Sequence, residues 1–325
     1  MINRFKNTVN ILCLCLAILP LTTLAQTNWK IIFRYPADYH ELWIGNGDDE
    51  RSARIFRLPR PIKAFSIQKD DRYVVAVAEG QLVDGKLPYL VDVYLLDRKR
   101  LKARAKNLTQ GEYTQIPDVA ISRNGDIIFI NLSFIIPKNG KLIRGLYLIP
   151  FREIEKKRPK AELLLEVDAE QVDWAPNGKE IVYETDWGIF HFDIRTKKVS
   201  QVTKGGSDPI YSPDGEKIAF LTTTRPKKIG IKTAGQRFIK YIELEEGIDV
   251  NYLTWSADGQ SLVYTLYSDF DPTYTNFAVH IESGQTEQIF KTYFEDGLSL
   301  FEWTNVPYAV DSVNKLTTLW GKLKQ

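Results

Sequence analysis

Pro209–Thr222 reads PIYSPDGEKIAFLT: two short apolar runs on either side of a tight turn. Ser212 opens the turn, Pro213 presets φ at its second position, Asp214 bonds locally, and Gly215 accepts positive φ. Beyond it Ile218 and Phe220 point one way and Ala219 the other, so the stretch reads as a β-hairpin. Working outward, the same wording returns in Asp173–Glu184 (DWAPNGKEIVYE) and Thr254–Thr265 (TWSADGQSLVYT).

Aligned on the residue before the turn, six copies start at Ile67, Ile121, Trp174, Tyr211, Trp255 and Val310. The first and last are degenerate, with Asp71 and Asn314 standing where Gly stands elsewhere, and both residue types tolerate positive φ. A second motif, an apolar-aromatic strand, follows in VYLLD (Val93–Asp97), LYLIP (Leu146–Pro150), IFHFD (Ile189–Asp193), IKYIE (Ile239–Glu243) and FAVHI (Phe277–Ile281). A charged tip and a further short strand complete each unit, twice with a shared ending, NLTQG (Asn107–Gly111) and QVTKG (Gln201–Gly205). About four strands recurring every 40–50 residues is the signature of a β-propeller. The expected fold is therefore all-β: a six-bladed β-propeller of four-stranded blades. The sixth copy, at Val310, leaves room for two strands, so His40–Asn46 and Arg54–Pro59 are expected to supply the other two and close the ring.

The turn and the strand after it, with the LT ending in QVTKGGSDPIYSPDGEKIAFLT, resemble the PD40, or TolB-type WD40-like, propeller repeat. The resemblance spans nearly all of the chain after residue 25. It implies the propeller fold and leaves function open. TolB itself carries a separate N-terminal domain, whereas only about fifteen residues here separate residue 25 from the first expected strand. No Trp is followed by Asp, the dipeptide of true WD40 repeats.

The first 25 residues read as a secretory signal, with Arg4 and Lys6 before an apolar Ile11–Leu19 and a small-residue cleavage site, Thr23–Ala25. The expected mature domain is 26–325, periplasmic or secreted, with no run near the roughly 20 apolar residues of a spanning helix. Cys13 and Cys15 both lie in the signal, so no disulfide framework supports the domain and buried apolar area must. Without the two signal cations the chain balances 41 basic against 41 acidic residues, which argues against a nucleic-acid footprint.

Enzyme signatures are sparse. There is no G-x-S-x-G elbow and no H-E-x-x-H. His40, His191 and His280 fall in different units, so no metal or other cofactor is expected. Asp269 and Asp271 in SDFDPTYTN offer too few ligands for calcium. Phe56–Pro59 (FRLP) is similar to a sialidase fragment, but the arginines and the Tyr–Glu pair of that site do not assemble. Two basic tips, Arg98–Lys106 and Arg152–Lys160, read as solvated loops, with contact to an anionic surface as the alternative.

Loop length is the functional lead. Ala78–Pro88, Asn131–Gly145, Thr222–Phe238, Leu266–Asn276 and Phe290–Thr304 are long, and they belong on the face opposite the SPDG turns. The candidate binding residues on or near them are Tyr113, Arg225, Lys227, Lys228, Tyr267, Phe270, Tyr274, Tyr293, Phe294 and Trp303, the composition of recognition surfaces. The expected function is a monomeric scaffold that binds an extracytoplasmic protein or peptide. The alternative is a sialidase- or lactonase-like enzyme on a carbohydrate or ester. An enzyme calls for convergent carboxylates or a metal in the channel mouth with shifted pKa values; a binding module calls for an aromatic, mostly neutral patch.

Overall fold

The computed structural model describes residues 30–35, 38–46, 52–68, 72–83, 86–100, 104–133, 143–244, 249–267, 274–290 and 298–304. Six four-stranded antiparallel sheets form a six-bladed propeller. Blade one holds Ile62–Ile67, Tyr73–Val83, Lys86–Asp97 and Lys106–Asn107; blade two holds Val119–Ile121, Ile127–Asn131, Gly145–Ile149 and Glu162–Glu166. Blade three holds Val172–Trp174, Glu180–Thr185, Gly188–Asp193 and Val199–Thr203. Blade four holds Ser207–Tyr211, Lys217–Leu221, Lys228–Thr233 and Ile239–Glu243; blade five holds Asp249–Trp255, Ser261–Tyr267, Tyr274–His280 and Thr286–Ile289.

Five of the six repeat residues, Ile67, Ile121, Trp174, Tyr211 and Trp255, end the innermost strands of these blades. The turns behave as their chemistry demands. Gly125, Gly178, Gly215 and Gly259 all carry positive φ, and Ser212 Oγ and Ser256 Oγ each accept from the backbone N–H five residues on, at 2.9 Å.

The closing blade corrects the expected split. It runs Phe301–Thr304, Lys30–Arg34, Glu41–Asn46, Ala53–Arg57, one strand from the C-terminal side and three from the N-terminal side. Lys30–Arg34, passed over as a lead-in, pairs with Phe301–Thr304 on one edge and with Glu41–Asn46 on the other. Ile31, Ile32 and Phe33 are buried, so this strand faces core on both sides and shows no alternation. The sixth inner strand therefore carries Trp303, and the copy at Val310 lies outside the described residues, as does the expected signal.

Three expected loops are also reassigned. Ala78–Pro88 belongs to the extended hairpin Tyr73–Val83/Lys86–Asp97, Thr222–Phe238 contains the third strand of blade four, and Phe290–Thr304 contains the closing inner strand. IKYIE is accordingly the fourth strand of its blade, not the third. The core lies between blades. One cluster joins blades one and two through Val75, Val93, Ile127, Phe129 and Tyr147, and another seats Phe33, Phe301 and Phe290 against blade five.

Candidate functional site

The inner strands surround a channel holding a cavity of about 680 Å³. Hydrogen bonds stitch each inner strand to the next. Ser66 Oγ accepts Ile121 N–H (3.4 Å), Asp173 Oδ2 accepts Tyr211 N–H (2.8 Å), and Glu302 Oε2 accepts Ile67 N–H (2.9 Å). Ser66 and Asp173 stand one residue before the end of their strands and Glu302 two, and in each case the donor is the residue that ends the next strand. At the alternate junctions the strand-end Trp reaches back: Trp174 Nε1 donates to Ala120 O and Trp255 Nε1 to Ile210 O, both at 3.3 Å. Tyr252 completes the circuit, its hydroxyl donating to Phe301 O at 2.5 Å. The aromatic strand-end residues thus join blades, which is the packing role their place in the repeat suggests.

One side of the channel is acidic. Asp118, Glu170, Asp173 and Asp208 line the cavity. Asp118 Oδ2 accepts Val172 N–H at 3.0 Å, Gln171 Nε2 donates to Asp208 Oδ1 at 2.6 Å, and Asp208 N–H donates to Glu184 Oε2 at 2.9 Å. Burial, reinforced by the neighbouring carboxylates, pushes the Asp118 and Glu184 carboxyls up to about 7. Burial raises Asp208 as well, though Lys227 opposes the shift. Arg34, from the closing blade, also lines the cavity. It donates to Ile62 O at 2.9 Å and Ser299 Oγ at 2.7 Å, and stacks 4.5 Å from the Tyr39 ring. The Tyr211 hydroxyl, another wall group, is buried without a hydrogen-bond partner among the described residues.

The structure disperses the residues chosen from sequence. Tyr113 is core rather than surface: it is 3% exposed and packs edge-on to Phe129 at 5.0 Å. Its backbone bridges to Val91, which draws the ring inward between blades one and two. Lys228 lies in a strand and pairs with Glu243 at 2.7 Å, and Lys227 Nζ donates to Val250 O at 3.2 Å across to blade five. Arg225 is exposed in the turn before that strand. Tyr267 and Tyr274 face each other across one hairpin, ring centroids 5.2 Å apart. Trp303 lines the cavity and tilts against Phe290. Phe270, Tyr293 and Phe294 lie outside the described residues. Sequence reasoning missed Trp187, at 79% the most exposed aromatic among the described residues of the long-loop face, because its turn, Thr185–Gly188, is short. It also missed the channel carboxylates, which belong to separate blades.

The three histidines stay apart: His40 pairs with Asp38, His191 with Glu180, and His280 with Ser283. No group of three His, Cys, Asp or Glu among the described residues is placed to hold a metal ion. No helix among them is long and apolar enough to cross a membrane.

No protein-family model and no curated protein matches the chain. Solved structures do. TolB from Acinetobacter baumannii superposes with a TM-score of 0.62 at 16% identity, covering 85% of this chain and 66% of its own length. A putative TolB from Agrobacterium tumefaciens gives 0.58 at 17%, covering 86% and 98%. A putative 6-phosphogluconolactonase from Bacteroides fragilis gives 0.53 at 11%, covering 85% and 98%. At such identities the likeness is one of fold: the chain has a TolB-like propeller scaffold.

Proposed function

We propose that this chain is an exported binding scaffold that receives a protein or peptide segment at the long-loop face and channel mouth. One observation carries the reading. Three of the carboxylates that line the cavity, Asp118, Asp173 and Glu302, accept hydrogen bonds from backbone amides of the next blade and so help hold the ring together. Groups fixed in this way shape and charge a receptor wall, and a reacting carboxylate must be free to exchange its proton or attack. The wall is not the neutral aromatic patch expected of a binding module. Its acidic side suits a segment that presents an ammonium or guanidinium group, and Trp187, exposed on the same face, offers an aromatic contact outside the cavity. The repeat-family resemblance and the N-terminal signal support an envelope or secreted location.

Site-specific photo-crosslinking tests this. A photoreactive residue at Tyr267, Tyr274 or Trp187 should yield a discrete adduct in envelope extracts, and one at Asp258, on the turn face, should not. Equal labelling from both faces removes the mouth as the binding surface.

A lactonase- or glycosidase-like hydrolase is the second reading, favoured by the Asp118 carboxyl, raised to about 7 in the cavity wall. Hydrolysis of lactones or glycosides by the purified chain, abolished in Asp118→Asn, would establish it in place of the first.

A further inference from the structure

The two basic tips singled out in the sequence are brought together by the fold. Arg98–Lys106 follows the third strand of blade one and Arg152–Lys160 the third strand of blade two, so both emerge on the turn face of neighbouring blades. Lys106 Nζ donates to Ile154 O, and Gln110 Nε2 donates to Lys157 O at 2.7 Å. The Phe151 ring lies 6.0 Å from Tyr73 of blade one. The described residues 97–100, 104–106 and 151–162 hold ten Lys or Arg and four Asp or Glu. Three of the four acids are engaged locally: Asp97 with Arg72 and Arg100, Glu153 with Lys156, and Glu162 with Arg152. Lys99, Arg104, Lys157, Arg158 and Lys160 are exposed and form no ion pair among the described residues. A chain balanced overall thus concentrates positive charge at one corner. Phe151, 38% exposed, sits among these cations.

We propose that this corner docks on an anionic phospholipid surface. Hairpin tips reach a flat surface before the body of the ring does. Each cation near an anionic leaflet adds attraction that falls away within a Debye length. The exposed Phe151 ring selects lipid over a soluble polyanion, because an aromatic ring among lysines can enter the headgroup boundary and gains nothing from a hydrated polymer. The corner lies on the face opposite the channel mouth, so the inference does not rest on the proposed function.

Flotation of the full chain with phosphatidylcholine vesicles, with and without phosphatidylglycerol, tests it at low and high salt. Binding should require the anionic lipid and be lost at high salt. Lys157→Glu/Arg158→Glu/Lys160→Glu should lower partition on the order of 100-fold. The milder Lys157→Gln/Lys160→Gln should give an intermediate loss, and keeps the test decisive if the triple variant misfolds. Phe151→Ala should cost about tenfold. Arg195→Glu/Lys198→Glu/Lys204→Glu, an equal charge change on blade three, should leave partition unchanged. Binding to neutral vesicles, an equal loss in the blade-three variant, or heparin outcompeting vesicles with Phe151→Ala neutral would each overturn the proposal, the last in favour of a polyanion site.

Discussion

Asn276 holds the approach to the closing strand, and removing its carboxamide should loosen the ring at its seam. The side chain is 2% exposed. Its Nδ2 donates to Thr265 Oγ1 at 2.8 Å and to Leu298 O at 3.0 Å, and its Oδ1 accepts Leu298 N–H at 3.0 Å. In Asn276→Ala, Leu298 O keeps a weak donor in Thr265 Oγ1 at 3.4 Å. Leu298 N–H, on a fully buried residue, keeps none among the described groups. An unsatisfied buried donor costs about 1–3 kcal/mol and each lost neutral hydrogen bond about 1 kcal/mol, so the expected loss is about 3 kcal/mol. For a domain of this size that lowers Tm by roughly 6 °C. Near-UV circular dichroism melts read the total, and hydrogen exchange reads the Leu298 amide directly. Asn276→Asp separates hydrogen bonding from packing. Protonated at low pH, its carboxyl can donate and accept as the carboxamide does; ionised at high pH, it faces Leu298 O and Thr265 with no proton to offer. That variant should approach wild type in acid and fall below Asn276→Ala in base. A melt within about 1 °C of wild type, with Leu298 equally protected, would refute the seam.

Three further outcomes are expected. Asp118 and Glu184 hold their protons more tightly in the fold than in the unfolded chain, so their effect on stability runs opposite to that of a salt-bridged acid. Stability should be highest near pH 4–5, fall as pH rises toward about 7, and level off above. Asp118→Asn/Glu184→Gln should flatten that slope in urea midpoints and stabilise the fold at pH 8; parallel profiles for variant and wild type would contradict the burial argument. Asp38, held down to about 2 by His40 and Arg57, acts below that window. Asp92 is buried and accepts from Asn107 Nδ2 (2.8 Å), Thr109 Oγ1 (2.7 Å) and Gly111 N–H (2.7 Å). Asp92→Ala should cost about 3 kcal/mol in urea unfolding and Asp92→Asn roughly half that, and an Asp92→Asn variant as stable as wild type would show that charge is irrelevant there. Gly188 has φ +117°, and a Cβ there would stand 2.3 Å from Thr203 O and 2.5 Å from Gly205 N. Gly188→Ala should lose more than about 2 kcal/mol, and a thermal melt matching wild type would show that the hairpin yields.

Blade count and blade order were legible because turn chemistry is local: four residues around Gly215 or Gly259 declare a hairpin without help from distant chain. The split of the closing blade was not. Phe301–Thr304 lacks the Asn-Gly or Asp-Gly turn that follows four of the other inner strands, so only Trp303, in the place of Trp174 and Trp255, marks it. Lys30–Arg34 reads as an apolar run of three between two basic residues, too short to announce a strand buried on both faces. Lys228–Thr233 was hidden by its lysines and by Gly230, where a Cβ would meet the Phe220 ring at 2.3 Å. At the mouth, Asp118, Asp173, Asp208 and Glu302 come from four blades and form no sequence motif, although each stands one to three residues before a strand end. Tyr113 misled because an aromatic in a linker looks the same whether it covers core or faces solvent.

The order in which the closing blade is assembled has a consequence for biogenesis. Lys30–Arg34 is made early, and its inner edge must await Phe301–Thr304 from the far side of the chain. Until then Ile31, Ile32 and Phe33 form a sticky ribbon with one bare margin, open to capture by any extended polypeptide nearby. Contacts so distant in sequence are slow to form. The nascent protein therefore passes through a horseshoe stage in which blades one to five can fold while the gap stays ajar, and a holdase that masks that margin would raise the yield of finished rings.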